Sequence, residues 1–269
     1  MSKSLEQRLR DAKAVLDKVD GATTRHVGKL APDVEKQFKT IAAFASDVDH
    51  WIGMLAARSA AHALLTGLEG HADANDDVPL GAARAKYQHV RLIGVQAYLA
   101  TKWALADRLV GMAGHVLCVR NSLQDPKNLP QLVSHFIGSK GPDSKTAAVA
   151  FYSLRQSFGW PIAVSYALRN HFVHDGGQLN GVDFFDGPTA GAGFKISTDG
   201  WARIEERAKS YGVEPTHHRV GAAWKPSAGD DLRAVLDVCE RETDDALGVL
   251  VGSACHSIMA HVGFVLGED

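Results

Sequence analysis

The chain has 269 residues, enough for one large domain or two small ones and for a sizeable core. Hydrophobic residues make up 45% and charged residues 22%, which excludes a disordered or low-complexity protein. The formal net charge is −2, so the chain as a whole is not a basic nucleic-acid coat.

Met1 to Arg10 is polar and charged and lacks the apolar centre of a signal peptide. No apolar run reaches the length of about eighteen residues that a membrane span needs. Cys118, Cys239 and Cys255 are odd in number and lie in apolar helical runs. That usage predicts reduced, buried thiols and a cytoplasmic protein rather than a disulfide framework.

The first predicted helix covers residues 3–20, where Leu5, Leu9, Ala12, Leu16 and Val19 recur at helical spacing. Gly21-Ala22-Thr23-Thr24 is expected to end it. Pro32-Asp33 opens a second helix that runs to about Leu68, with Ile41, Phe44, Val48, Trp51 and Leu55 along its apolar side. Gly70 to Pro79 reads as an acidic loop. A long helix then spans about Ala83 to Asn121, and its Gly94, Gly111 and Gly114 suggest tight packing. Asp125-Pro126 bounds it, Pro130 to Gly138 fits a short helix, and Gly138 to Asp143 a loop.

Ser144 is placed to cap a helix through Phe158. Gly159-Trp160-Pro161 is expected to break the chain, with Pro161 restarting a helix that runs through Tyr166 and Leu168 to Gly176-Gly177. Val182 to Phe185 and Gly193 to Ser197 read as two short strands around a Gly/Pro-rich turn. Asp199 is expected to cap a helix from Trp201 to Tyr211 that Gly212 ends. A last helix runs from Asp230 to about Leu266. The pattern predicts an all-α bundle with a small β-hairpin insertion. Residues 1–70 form N-terminal helices, separate or part of the same core, and residues 71–269 a helical domain with its insertion at 178–228.

One segment carries a chemical pattern. Arg169-Asn170-His171-Phe172-Val173-His174, followed by Asp175-Gly176-Gly177, reads Arg-Asn-x-x-x-His at a helix end. Arg presents a fixed fork of donors to a phosphate, and His exchanges a proton near neutral pH. A bare Arg with a following His also occurs at Arg84/His89 and Arg108/His115, and composition alone produces roughly two such matches. The stricter form, with Asn after the Arg, occurs once; Arg120-Asn121 has no His in range. The motif also ends the one strongly cationic stretch. Residues 84–174 hold eleven Lys/Arg against three Asp/Glu, and the rest holds eighteen against twenty-eight. A local positive field is what a phosphate backbone requires, although solvated helix faces would hold the same charges.

This segment resembles the signature of the HEPN superfamily, the higher eukaryotes and prokaryotes nucleotide-binding domains. The likeness is sharp over about six residues and looser over the helices from about 84 to 265. It implies a helical bundle and a metal-independent ribonuclease, in the setting of a toxin or phage-defence effector. It implies a homodimer whose site joins two motif copies, and in some members a cognate antitoxin. By the family pattern Arg169, Asn170 and His174 are the catalytic residues, and no cofactor or metal is expected. The rival reading is a non-catalytic helical module that binds a nucleotide, an RNA or a protein partner.

With RNA as substrate, His174 would take the proton of the ribose 2′-hydroxyl or give one to the leaving 5′-oxygen. Arg169 would stabilise the charge building on the phosphorane, and Asn170 would hydrogen-bond the phosphate or orient the His. Products would carry 2′,3′-cyclic phosphate and 5′-hydroxyl ends. On an ideal α-helix Arg169 and His174 lie about 140° apart, so a lone helix does not complete this site. His171, Asp175 and Tyr166 are candidates for substrate contact. Tyr166, like Trp160 and Phe172, could stack on a base but equally fills a core. His171 could assist or point away, and Asp175 could orient a His or sit solvated.

Other chemistries find less support. His115 with Cys118, and Cys255-His256 with His261, lack the paired spacing of a zinc site. His217-His218 reads as a solvated loop beside Arg219. There is no Gly-x-Ser-x-Gly elbow, no phosphate loop and no dinucleotide fingerprint.

Overall fold

A computed structural model describes residues 3–67, 80–116, 145–174, 184–186, 194–218 and 224–266. They are mostly helical. Six α-helices occur among them: α1 (Leu5–Arg25), α2 (Pro32–Gly67), α3 (Leu80–Val116), α4 (Lys145–Arg169), α5 (Thr198–Lys209) and α6 (Leu232–Leu266). A π-helical turn, Asn170–His174, continues α4. Strands β1 (Phe184–Asp186) and β2 (Phe194–Ile196) pair antiparallel, with Phe184 opposite Ile196. Among the described residues no helix is long and apolar enough to cross a membrane.

The chain divides into two compact units. The first comprises residues 1–55, 105–154 and 244–269; the second comprises 56–104 and 155–243. The boundary expected at residues 70/71 lies outside the described residues, as do the loop at 70–79, the short helix at 130–138, Ser144 and Gly176-Gly177.

In the first unit α1 forms as its periodicity requires. Leu5, Leu9, Ala12, Leu16 and Val19 are buried, and Ser4 caps the start by accepting the Gln7 N–H. The helix does not stop at Gly21 but runs on to Arg25. Ala22 and Thr23 are buried, and the Thr23 hydroxyl donates to the Val19 carbonyl. That burial outweighs the roughly 1 kcal/mol a helical glycine costs. Arg8 Nη1 donates to the Gly248 carbonyl, and a Cβ at Gly248 would lie 2.7 Å from Arg8 Cδ, so α1 and α6 approach closely here.

Gly111 behaves otherwise than expected. A Cβ there meets nothing within 4 Å, so no close packing explains this glycine. Cys239, in the second unit, is fully buried and its thiol is pushed up to about 12 by desolvation; in the first, half-buried Cys255 is pushed up to about 11 by the same cause. Cys118 lies outside the described residues.

The second unit is built around α4. Trp160, Ala163, Val164, Ala167, Leu168 and Phe172 pack with Val95, Tyr98 and Leu99 of α3, Trp201 and Ile204 of α5, and Val235 and Leu236 of α6. A polar clamp runs beside this core: Tyr98 Oη donates to Glu240 Oε2 (2.7 Å), and Arg58 Nη2 lies 3.0 Å from Glu240 Oε1. Burial, then the Glu240 charge, holds the Tyr98 hydroxyl well above its ordinary pKa, so it remains a donor. Lys102, almost fully buried, donates to Ser165 Oγ at 2.8 Å.

Pro161 does not break the chain. α4 passes through it unbroken, and the Trp160 N–H just before it donates to the carbonyl of His217 (2.9 Å). The loop that supplies this carbonyl is fixed in turn: His217 Nδ1 accepts the Glu214 N–H at 2.7 Å, and Arg155 donates to the Gly212 carbonyl. Gly212, at φ +75°, makes the turn that ends α5. α5 starts earlier than Asp199 suggests, since the Ser197 hydroxyl accepts the Gly200 N–H and serves as the cap. Ile196 sets this entry by pairing its N–H with the Asp230 carbonyl and its own carbonyl with the Gly229 N–H.

Two outcomes follow. Gly111→Ala, with open space and a helical backbone, should raise the unfolding free energy by about 0.5–1 kcal/mol in a denaturant titration. Desolvation, then the Arg155 charge, lowers the His217 pKa below its ordinary 6.5. The folded state therefore resists protonating His217 while the unfolded chain accepts it. This stability is complete above about pH 6.5 and is lost as pH falls toward the folded pKa. The stability difference between wild type and His217→Asn, measured from pH 8 to 5, should shrink across that range.

Candidate functional site

Residues Trp160 to Leu168 are all buried, and Arg169, Asn170 and His171 are the first to emerge, each half-buried. Phe172 returns to the core and Val173 is exposed. The change coincides with the passage from α-helix to π-helical turn after Arg169. A π-turn closes its hydrogen bonds between positions five apart, not four. Arg169 and His174 are five apart, the spacing that such a turn brings toward one face. Gln96 of α3 supports the turn by donating from Nε2 to the Phe172 carbonyl (2.8 Å).

Arg169 Nη1 lies 3.3 Å from Tyr166 Oη and 3.4 Å from Asn170 Oδ1, and its Cζ stands 5.3 Å from the Tyr166 ring centre. These hydrogen bonds are long and weak. Arg169 Nε is buried without a hydrogen bond, and among the described residues no carboxylate pairs with this side chain. Its described contacts are thus with neutral groups, Tyr166 and Asn170.

Asn170 is held at both ends of its amide. Oδ1 accepts from Arg169, and Nδ2 donates to Tyr211 Oη at 2.9 Å. The rings of Tyr166 and Tyr211 meet edge to face at 5.3 Å, and Trp103 meets Tyr166 at 4.8 Å. Tyr166 is therefore a buried support whose hydroxyl touches Arg169, not an open platform for a base. Trp160 and Phe172 are fully buried core.

His171 faces another way. It packs edge to face on Phe172 and lines an open pocket of about 380 Å³ with Ala167 and, from α5 and its end, Arg203, Ile204, Glu206, Arg207 and Ser210. The backbone of His174 closes the π-turn; its side chain and Asp175 lie outside what is described. Among the described residues no three His, Cys, Asp or Glu side chains converge on a point where a metal could sit.

Tyr211, Gln96, Arg203 and Arg207 are the residues that sequence reasoning misses. Tyr211 stands 41 positions from Asn170, and no local signal links the two. The pair Arg203/Arg207, four apart on a helix whose Trp201, Ile204 and Ala208 face inward, is the one that periodicity could have placed on a common flank. Tyr211→Phe keeps the ring but removes the acceptor for Asn170. It should lower stability by about 0.5–1.5 kcal/mol in equilibrium unfolding.

Compared with family models, with curated proteins and with solved structures, the chain finds no match.

Proposed function

We propose that this chain is a metal-independent endoribonuclease of the HEPN type that works as a homodimer. The observation that carries the reading is Arg169. It is a half-buried guanidinium with no described carboxylate partner, steered by Tyr166 and Asn170 at the turn where His174 follows five residues on.

In this mechanism a His174 imidazole accepts the proton of the 2′-hydroxyl as the 2′-oxygen bonds to phosphorus. The bond from phosphorus to the 5′-oxygen breaks, and that oxygen leaves with a proton from a protonated imidazole. A second copy of the motif would supply the second His, as the family resemblance implies. Arg169 neutralises the charge on the phosphorane. Asn170, committed at both ends, positions Arg169. The exposed Val173 within the motif, and exposed Ile93 one turn before Gln96, suit burial against a second copy. A toxin or phage-defence effector acting in the cytoplasm, restrained by an antitoxin, is the setting the resemblance implies.

One observation favours the non-catalytic module. Both polar ends of the Asn170 amide are engaged within the fold, which suits an architectural role for the motif.

The test is cleavage of total RNA in EDTA by wild type, Arg169→Ala and His174→Ala, each checked for folding. Wild type should cleave and leave cyclic phosphate ends, and each variant should lose at least about 100-fold in rate. Cleavage that survives both substitutions removes the mechanism. An inactive wild type makes the binding module the leading reading.

A further inference from the structure

The loop that follows α5 meets α4 beside Pro161, where the Trp160 N–H donates to the His217 carbonyl (2.9 Å). The same loop packs on Gly159. A Cβ there would lie 3.1 Å from Val213 Cγ1 and 3.6 Å from His217 Cβ. Arg155, one turn earlier on α4, donates to the Gly212 carbonyl.

Glu214 to His217 is a turn closed twice. The His217 N–H donates to the Glu214 carbonyl (2.8 Å), and the Glu214 N–H donates back to His217 Nδ1 (2.7 Å). Pro215, at the second position, presets the backbone of the turn. The second bond needs a bare Nδ1, so the proton of neutral His217 sits on Nε2. A protonated imidazole carries an N–H on both nitrogens and would set one of them against the Glu214 N–H. The charged groups that act on the ring are Arg155, from α4, and Glu214, from its own turn. Desolvation, then the Arg155 charge, holds the ring neutral, against the opposite pull of Glu214.

We infer that His217 is an acid-sensitive latch: a neutral ring holds the turn Glu214–His217 closed on α4, and a proton on Nδ1 opens the turn and releases the His217 carbonyl from Trp160. The latch goes beyond the ribonuclease reading and does not depend on it. It is a local device, because the bonds that protonation breaks lie within one turn and at one point of α4.

The test is amide hydrogen exchange of the full chain, followed by NMR from pH 8 to 5, with each rate divided by that of an unstructured chain. Protection of the Trp160 and Glu214 amides should be constant above about pH 6.5, the ordinary histidine value. Below it, protection should fall by up to about tenfold per pH unit until the folded pKa is reached. The Leu168 amide, further along the same helix, should keep its protection. His217→Asn places a side-chain oxygen near the position of Nδ1 and does not titrate. Its Trp160 and Glu214 amides should stay protected with no pH dependence. The ring nitrogens of neutral wild-type His217 should show the Nε2–H tautomer.

A flat wild-type profile or an Nδ1–H tautomer overturns the latch, and neither measurement needs a variant. Loss of protection at Leu168 in step with Trp160 also overturns it, since that is unfolding of the whole unit. The same holds for a fall in His217→Asn equal to that of wild type, which would place the titrating group elsewhere.

Discussion

A helix with proline in its interior loses a hydrogen bond and crowds the carbonyl one turn back, so the strained segment needs support from outside. In α4 the Trp160 N–H, beside Pro161, donates outside the helix to the carbonyl of His217. That contact ties the loop after α5 to α4. Nine consecutive buried residues, Trp160 to Leu168, lead from it to the motif. Tyr211, at the start of the same loop, accepts from Asn170. The loop depends on a neutral His217, whose Nδ1 must accept rather than donate.

The same arrangement explains how a cation can remain at the end of so apolar a helix. A guanidinium leaving a buried segment would ordinarily be matched by a carboxylate. Among the described residues, Tyr166 and Asn170 contact it, with Tyr211 behind the amide, and these neutral groups orient the guanidinium. The π-electron face of Tyr166 offsets part of the desolvation.

How much of this was legible in the sequence depends on the range of the interactions. Periodicity and caps reached α1, the start of α2 at Pro32, the two strands and α6, because those signals are local. The glycine at 21 and the proline at 161 misled for one reason. Propensity prices a residue alone, while the packing around it decides its cost in the fold: Ala22 and Thr23 are buried after Gly21, and Pro161 lies in a run of nine buried residues. Arg169 and Asn170 could be picked from the motif. Their partner Tyr211 could not, since tertiary packing alone joins it to Asn170. Tyr166 was visible as an aromatic near the motif, and its role as a buried prop emerged only with Trp103 and Tyr211 around it.

The π-turn has a consequence for how this segment is numbered in space. A turn of i→i+5 bonds accommodates one residue more than an α-turn, so Asn170 to His174 advance out of phase with α4. Trp160 to Leu168 are buried all round, and that continuous burial stops at Arg169. The extra residue therefore acts as a fixed dislocation: within five positions a helix buried on every side comes to hold Phe172 in the core and Val173 in solvent.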